Sequence, residues 1–146
     1  MHASARLAAP LFGLLALVAV SGCGGGDDVM ALKVGDCLNA AALDSNAAVS
    51  DVTVIDCADP HDAEVFTELT LDDRDFPGEK ALRTRALELC RPEFEQFVGR
   101  PYDESELYYS ALTPTQESWE RAEDRTALCI LLSDDPVIGT LAGAKR

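Results

Sequence analysis

Thr126-Ala127-Leu128-Cys129-Ile130-Leu131-Leu132 is apolar at every position but the first. A strand with one wet face alternates apolar and polar side chains. This run does not alternate, so both of its faces must be covered, as in the central strand of a small sheet. Upstream, Leu107-Tyr108-Tyr109-Ser110-Ala111-Leu112 reads as a second strand, joined to the first through Thr113-Pro114 and a connection holding Trp119. Ala63 to Leu71 reads as a third, with Val65, Thr67, Leu69 and Leu71 on one face and Glu68 and Thr70 on the other. Val52-Thr53-Val54-Ile55-Asp56-Cys57 is β-branched and strand-like, and Val34 to Leu38 is a short first strand and turn. Asn39 to Ser50 reads as an Ala-rich loop, and Asp59-Pro60-His61-Asp62 as a turn.

One segment has helical periodicity. Pro77-Gly78 opens it, Gly99 ends it, and Leu82, Ala86, Leu89, Cys90 and Phe97 form one apolar stripe. Pro92 interrupts the pattern, either as a kink or in the first turn of a second helix, where its missing N–H costs nothing. The order β, β, β, α, β, β predicts an α+β domain. A small, mostly antiparallel sheet carries one Pro-interrupted helix across it.

The N-terminus has a different character. Leu7 to Val20 is apolar or small, too short for the roughly 20 residues of a spanning helix. It follows Arg6 and ends in Val20-Ser21-Gly22-Cys23, the pattern of an export signal. That ending resembles the lipobox of bacterial lipoproteins, which implies a signal peptide over 1–22 and a diacylated Cys23 as the new N-terminus. Two acyl chains hold a protein stably at a bilayer where one does not. Gly24-Gly25-Gly26-Asp27-Asp28 suits a tether, so residues 23–33 are read as lipidated cysteine and flexible linker, and 34–146 as one domain. The expected place is the outer face of the cytoplasmic membrane, with the bilayer as one partner through Cys23.

The chain has 12 Lys and Arg against 26 Asp and Glu, a net charge of −14. No basic run exists to meet phosphates, which argues against nucleic acid and against attraction to anionic headgroups. The apolar share, 47%, is ordinary for a globular protein, so the acid content describes a surface.

Of five cysteines, Cys23 is assigned to lipid, leaving Cys37, Cys57, Cys90 and Cys129. An even set in an exported chain reads as two disulfides, with three pairings open. The pairing expected is Cys37–Cys57 and Cys90–Cys129, the second pinning the helix to the central strand. Each stabilises by roughly 3 kcal/mol in the chain-entropy view. A zinc site is set aside because the cysteines lack close paired spacing, and no metal or other cofactor is expected.

Candidate chemistry is sparse. His61 lies between Asp59 and Asp62 beside Glu64, a setting for an acid–base or metal site; the reading preferred is a turn in which Asp62 caps backbone groups and His61 packs beside Cys57. Ser118 stands in no G-x-S-x-G turn. The runs Asp72, Asp73, Asp75 and Asp134, Asp135 lack EF-hand spacing. Trp119 suits either a partner anchor or the lid of the core. No catalytic residue is assigned; His61, Asp62 and Trp119 are the candidate partner-binding residues.

Several segments in linked order carry a family resemblance. They are Val34-Gly35-Asp36-Cys37-Leu38-Asn39, Asp56-Cys57-x-x-Pro60-His61-Asp62-x-Glu64-Val65, Pro77-Gly78 and the Cys90 helix. Tyr102-Asp103, Pro114-Thr115-x-x-Ser118-Trp119 and Asp124-Arg125-Thr126-x-x-Cys129 complete the series. Together they resemble the septum-formation domain family of high-GC Gram-positive bacteria, whose members look like exported or membrane-tethered domains with paired cysteines. Glu123 departs from the commoner pattern, where a glycine is frequent. The resemblance implies a place in the cell envelope or septum, without a reaction or ligand. The function expected is a non-catalytic domain that binds an envelope protein or cell-wall component. The alternatives are an envelope hydrolase using His61 with nearby carboxylates, or a calcium-dependent binding module.

Cys23→Ser is expected to abolish incorporation of labelled palmitate. A chain that still takes the label after this change would remove the lipid from Cys23.

Overall fold

The computed structural model describes residues 27–43 and 51–146. The signal segment, Cys23 and the rest of the tether up to Gly26 lie outside the described residues, as do residues 44–50. The sheet is built on β6 (Thr126–Val137), which pairs with β4 (His61–Thr70) on one side and β5 (Tyr108–Leu112) on the other. The short β2 (Cys37–Leu38) continues the sheet beyond β4, and every pairing is antiparallel. With α1 (Glu79–Val98) packed on it, the architecture is α+β.

The central strand is covered twice. Ala127, Cys129 and Leu131 face α1, in a core with Phe66, Leu82, Ala86, Phe94 and Val98. Leu128 and Ile130 face the other way, against Leu32, Leu38, Val52, Ala63 and Val65. Among the described residues no α-helix covers this second face. The N-terminal segment does, held by a separate pairing of β1 (Asp27–Asp28) with β3 (Asp51–Val52). Residues 27–33, read from their composition as tether, therefore hold a strand and a 3₁₀ turn and bury Leu32 to 5% exposure.

In β4 the expected single face is corrected. Val65 pairs with Ile130 and Thr67 with Cys129, so Phe66 is an extra residue in the ladder. Such a bulge resets the alternation by one residue. Val65 consequently joins the N-terminal core, while Phe66, Leu69 and Leu71 join the helix side. The strand expected over Val52–Cys57 is also corrected: only Asp51–Val52 is strand, and Ile55 makes a single bridge to Cys37. β2 is just two residues long and already paired with β4, so it leaves that segment little ladder to join.

Helix α1 is continuous. Its buried residues are Leu82, Ala86, Cys90, Phe94 and Val98, a spacing of four throughout. Each such step advances about 40° beyond a full turn, so the stripe winds around the helix. For this reason Leu89, placed on the stripe by a spacing of seven, is 40% exposed, and Phe97 is only partly buried. Pro92 is exposed and lies opposite the stripe, where the Glu88 carbonyl it leaves unpaired is open to solvent. Gly99 ends the helix at φ 77°, its N–H donating to the Glu95 carbonyl.

The connection before β6 contains a second helix, α2 (Gln116–Arg121). The Thr115 side chain accepts from the Ser118 N–H and the Ser118 Oγ accepts from the Thr115 N–H, a capping box. The Asp124 carboxylate then accepts from Ser118 Oγ at 3.1 Å and from the Thr126 N–H at 3.0 Å, tying α2 to the start of β6. Between them Glu123 has φ 53°, the left-handed region that glycine occupies at least cost.

Both disulfides pair as expected. Cys37–Cys57 spans 5.4 Å between Cα atoms, and Cys90–Cys129 joins α1 to β6 across 5.8 Å.

Glu123→Gly is expected to raise the unfolding free energy by about 1 kcal/mol, by relief of the left-handed backbone. The double change Cys90→Ala, Cys129→Ala is expected to lower it by roughly 3–4 kcal/mol. Urea titration of each variant measures both.

Candidate functional site

Three segments meet at one corner of the sheet: the turn before β2, the segment leading into β4, and the chain after β6. The Gly35 N–H donates to the Val65 carbonyl at 2.8 Å and the Val65 N–H donates to the Asp36 carbonyl at 2.9 Å. The Ile55 N–H donates to the Cys37 carbonyl at 2.7 Å, and the Gly139 N–H to the Cys57 carbonyl at 2.6 Å. These bonds close backbone around the Cys37–Cys57 disulfide. Cys37 is fully buried, whereas Cys57 is half-buried, its Sγ 3.4 Å from the Gly35 carbonyl oxygen.

His61, expected in a turn, is the first residue of β4, opposite Val137 of β6. It is 1% exposed. Nδ1 lies 2.9 Å from the Asp59 carbonyl oxygen, which only accepts, so Nδ1 is the donor in this bond. Nε2 is buried and has no hydrogen-bond partner. A ring nitrogen of His61 and the sulfurs of Cys37 and Cys57 lie within 4.8 Å of one another. Among the described residues this is the one group of His, Cys, Asp and Glu side chains close enough to share an ion. The sequence offered part of the signal in Cys57-x-x-x-His61. The third member stands 20 residues before Cys57 and arrives through the β2–β4 pairing and the disulfide.

The Glu64 and Asp62 carboxylates near His61 are engaged elsewhere. Glu64, 1% exposed, accepts from Thr140 Oγ1 and from the Leu141 N–H, each at 2.6 Å. Asp62 accepts from the Ala40 N–H at 2.6 Å, the backbone-capping role read from sequence. Asp59 meets the ring through its backbone carbonyl. Two apolar side chains that sequence reasoning did not select stand outward here. Val34 is 51% exposed and Ile138 72%, each beside a glycine that touches Cys57.

The other candidates lie elsewhere. Trp119 is 2% exposed and part of the helix-side core, edge-on to Phe76 at 5.9 Å. The Arg125 guanidinium covers its ring at 3.7 Å and donates to the Trp119 carbonyl, so the ring closes the core. Asp72 and Asp73 both bind Arg85, at 2.6 and 2.8 Å. Asp134 accepts from the Tyr108 hydroxyl at 3.4 Å. Among the described residues no helix is long and apolar enough to cross a membrane.

Comparison with known families matches residues 34–143 to the family described as Septum formation. No curated protein and no solved structure matches the chain.

Glu64→Leu strands the buried Leu141 N–H and is expected to cost about 2–3 kcal/mol of stability. Glu64→Gln, whose carbonyl still accepts from Leu141, is expected to cost less. Amide exchange at Leu141, faster in the Leu variant than in the Gln variant, checks the assignment.

Proposed function

This chain belongs to the septum-formation family, and from that premise we propose that it is a lipid-anchored binding domain of the cell envelope, without catalysis of its own. It sits on the outer face of the cytoplasmic membrane through acylated Cys23. It engages an envelope protein or cell-wall component during envelope or septum assembly. The lipobox-like Val20-Ser21-Gly22-Cys23 supports the location.

The observation that carries the reading is the direction in which the corner presents its groups. Two of its polar side chains, His61 and Glu64, are each 1% exposed, and Glu64 and Asp62 hold the protein's own backbone. Its apolar side chains, Val34 and Ile138, turn outward. That arrangement offers a partner a contact surface and offers a substrate no accessible acid–base pair. A hydrolase built on His61 has less support, because its neighbouring carboxylates bond to Ala40, Thr140 and Leu141 instead of the ring. A calcium module has less support, because Arg85 occupies Asp72 and Asp73.

Photo-crosslinking residues placed at 34 and 138 in growing cells are expected to capture one envelope component reproducibly, whereas the same group at 89 on α1 is not. Val34→Asp with Ile138→Asp should reduce capture at least tenfold while leaving the melting temperature within a few degrees. Equal capture from all three positions would remove the corner as the contact surface.

A further inference from the structure

The two disulfides differ in their surroundings. Cys90 and Cys129 are both fully buried, between α1 and β6, in the core with Phe94 and Leu131. In the Cys37–Cys57 pair Cys57 is half-buried, and a ring nitrogen of His61 lies within 4.8 Å of both sulfurs; the Nε2 of that ring is buried and unpartnered. A buried ring nitrogen without a partner is costly and rare, and it calls for a ligand or a redox role. The Nδ1 of His61 meets the Asp59 backbone carbonyl, the kind of outer contact that metal-binding histidines make through their second nitrogen.

We infer that Cys37, Cys57 and His61 form a redox-gated cation site. It is closed while the sulfurs are bonded to each other and opens to a zinc-type divalent ion when a dithiol reduces them. The chemistry is two-electron exchange. A thiolate of the reductant attacks Cys57 Sγ, the more exposed sulfur, and the Cys37–Cys57 bond breaks with Cys37 leaving as thiolate. The second thiol of the reductant resolves the mixed disulfide. The dithiol ends as a disulfide, and Cys37 and Cys57 end as thiols. Cation binding then releases their protons to solvent.

Two thiolates and an imidazole suit zinc, which binds sulfur at about 2.3 Å and histidine nitrogen at about 2.0 Å. A tetrahedral ion with those bonds sets its ligand atoms roughly 3.5–3.8 Å apart. The three atoms already lie within 4.8 Å, and the Cys37 and Cys57 Cα atoms are 5.4 Å apart. Reduction therefore demands a small separation of the sulfurs, with the backbone corner kept by the Gly35–Val65 and Gly139–Cys57 bonds. Three protein ligands leave the fourth position to water or to a group from outside the chain.

The test uses the full chain with Cys23→Ser, which removes the thiol outside the two pairs. Mild dithiothreitol followed by alkylation and mass spectrometry should find Cys37 and Cys57 open and Cys90–Cys129 intact. Without alkylation and after removal of the reductant under argon, the protein is titrated with zinc against a chromophoric chelator. The reduced protein is expected to take one equivalent and the oxidised protein none, and His61→Gln should weaken binding at least tenfold. Cobalt in place of zinc should give thiolate charge-transfer absorption. Should reduction unfold the domain, recovery of the far-ultraviolet dichroism with one equivalent of zinc supports the site, and no recovery overturns it. Equal zinc uptake by oxidised and reduced protein, or undiminished binding by His61→Gln, also overturns it.

Discussion

A strand that is apolar on both faces must be covered on both, and β6 imposes that condition on the whole chain. α1 answers on one side, with Leu82, Ala86, Cys90, Phe94 and Val98 packed toward Ala127, Cys129 and Leu131. On the other side the cover is not a helix but the N-terminal segment, through Leu32, Leu38 and Val52. Irregular chain is a weaker cover than a helix, because fewer of its backbone groups satisfy one another. The staples and ties compensate. Cys37–Cys57 fastens β2, the Asp62 carboxylate holds the Ala40 N–H, and β1 pairs with β3.

The same economy explains the buried polar groups. Glu64 is inside the protein because it satisfies Thr140 and the Leu141 N–H, and so folds the C-terminal segment back onto the sheet. Leu141 thereby enters the helix-side core, and the turn at Ile138-Gly139 is set against Cys57. His61 is the exception. One of its nitrogens is satisfied and the other is buried without a partner, in a ring that lies against the two sulfurs. That asymmetry separates this corner from the Trp119 region, where Ser118, Asp124 and Arg125 close every gap but the indole N–H and the result is structural.

Much of this was legible along the chain. The unalternating run at 126–132, the helical spacing after Gly78, the even cysteine set and the family motifs fix an α+β fold stapled by two disulfides. Some motifs also acquire their reason in the structure. Thr115-x-x-Ser118 is a capping box, and the position where Glu123 replaces a frequent glycine is one with positive φ. What misread did so for a physical cause. One extra residue at Phe66 inverted the later half of β4, which a strict period of two does not anticipate. Seven-residue spacing put Leu89 on a stripe that in fact advances by fours.

Local sequence determined the elements, their caps and their apolar faces, because those follow from backbone stereochemistry and side-chain spacing over a few residues. The site was decided only by tertiary structure. Cys37 and His61 meet because a two-residue strand pairs with the start of β4. Glu64 turns inward because Thr140 and Leu141, more than seventy residues later, come back to receive it. Contacts between residues so far apart depend on which strands pair and in what register. That is settled by burying both faces of one strand at once, a condition no short window of sequence expresses.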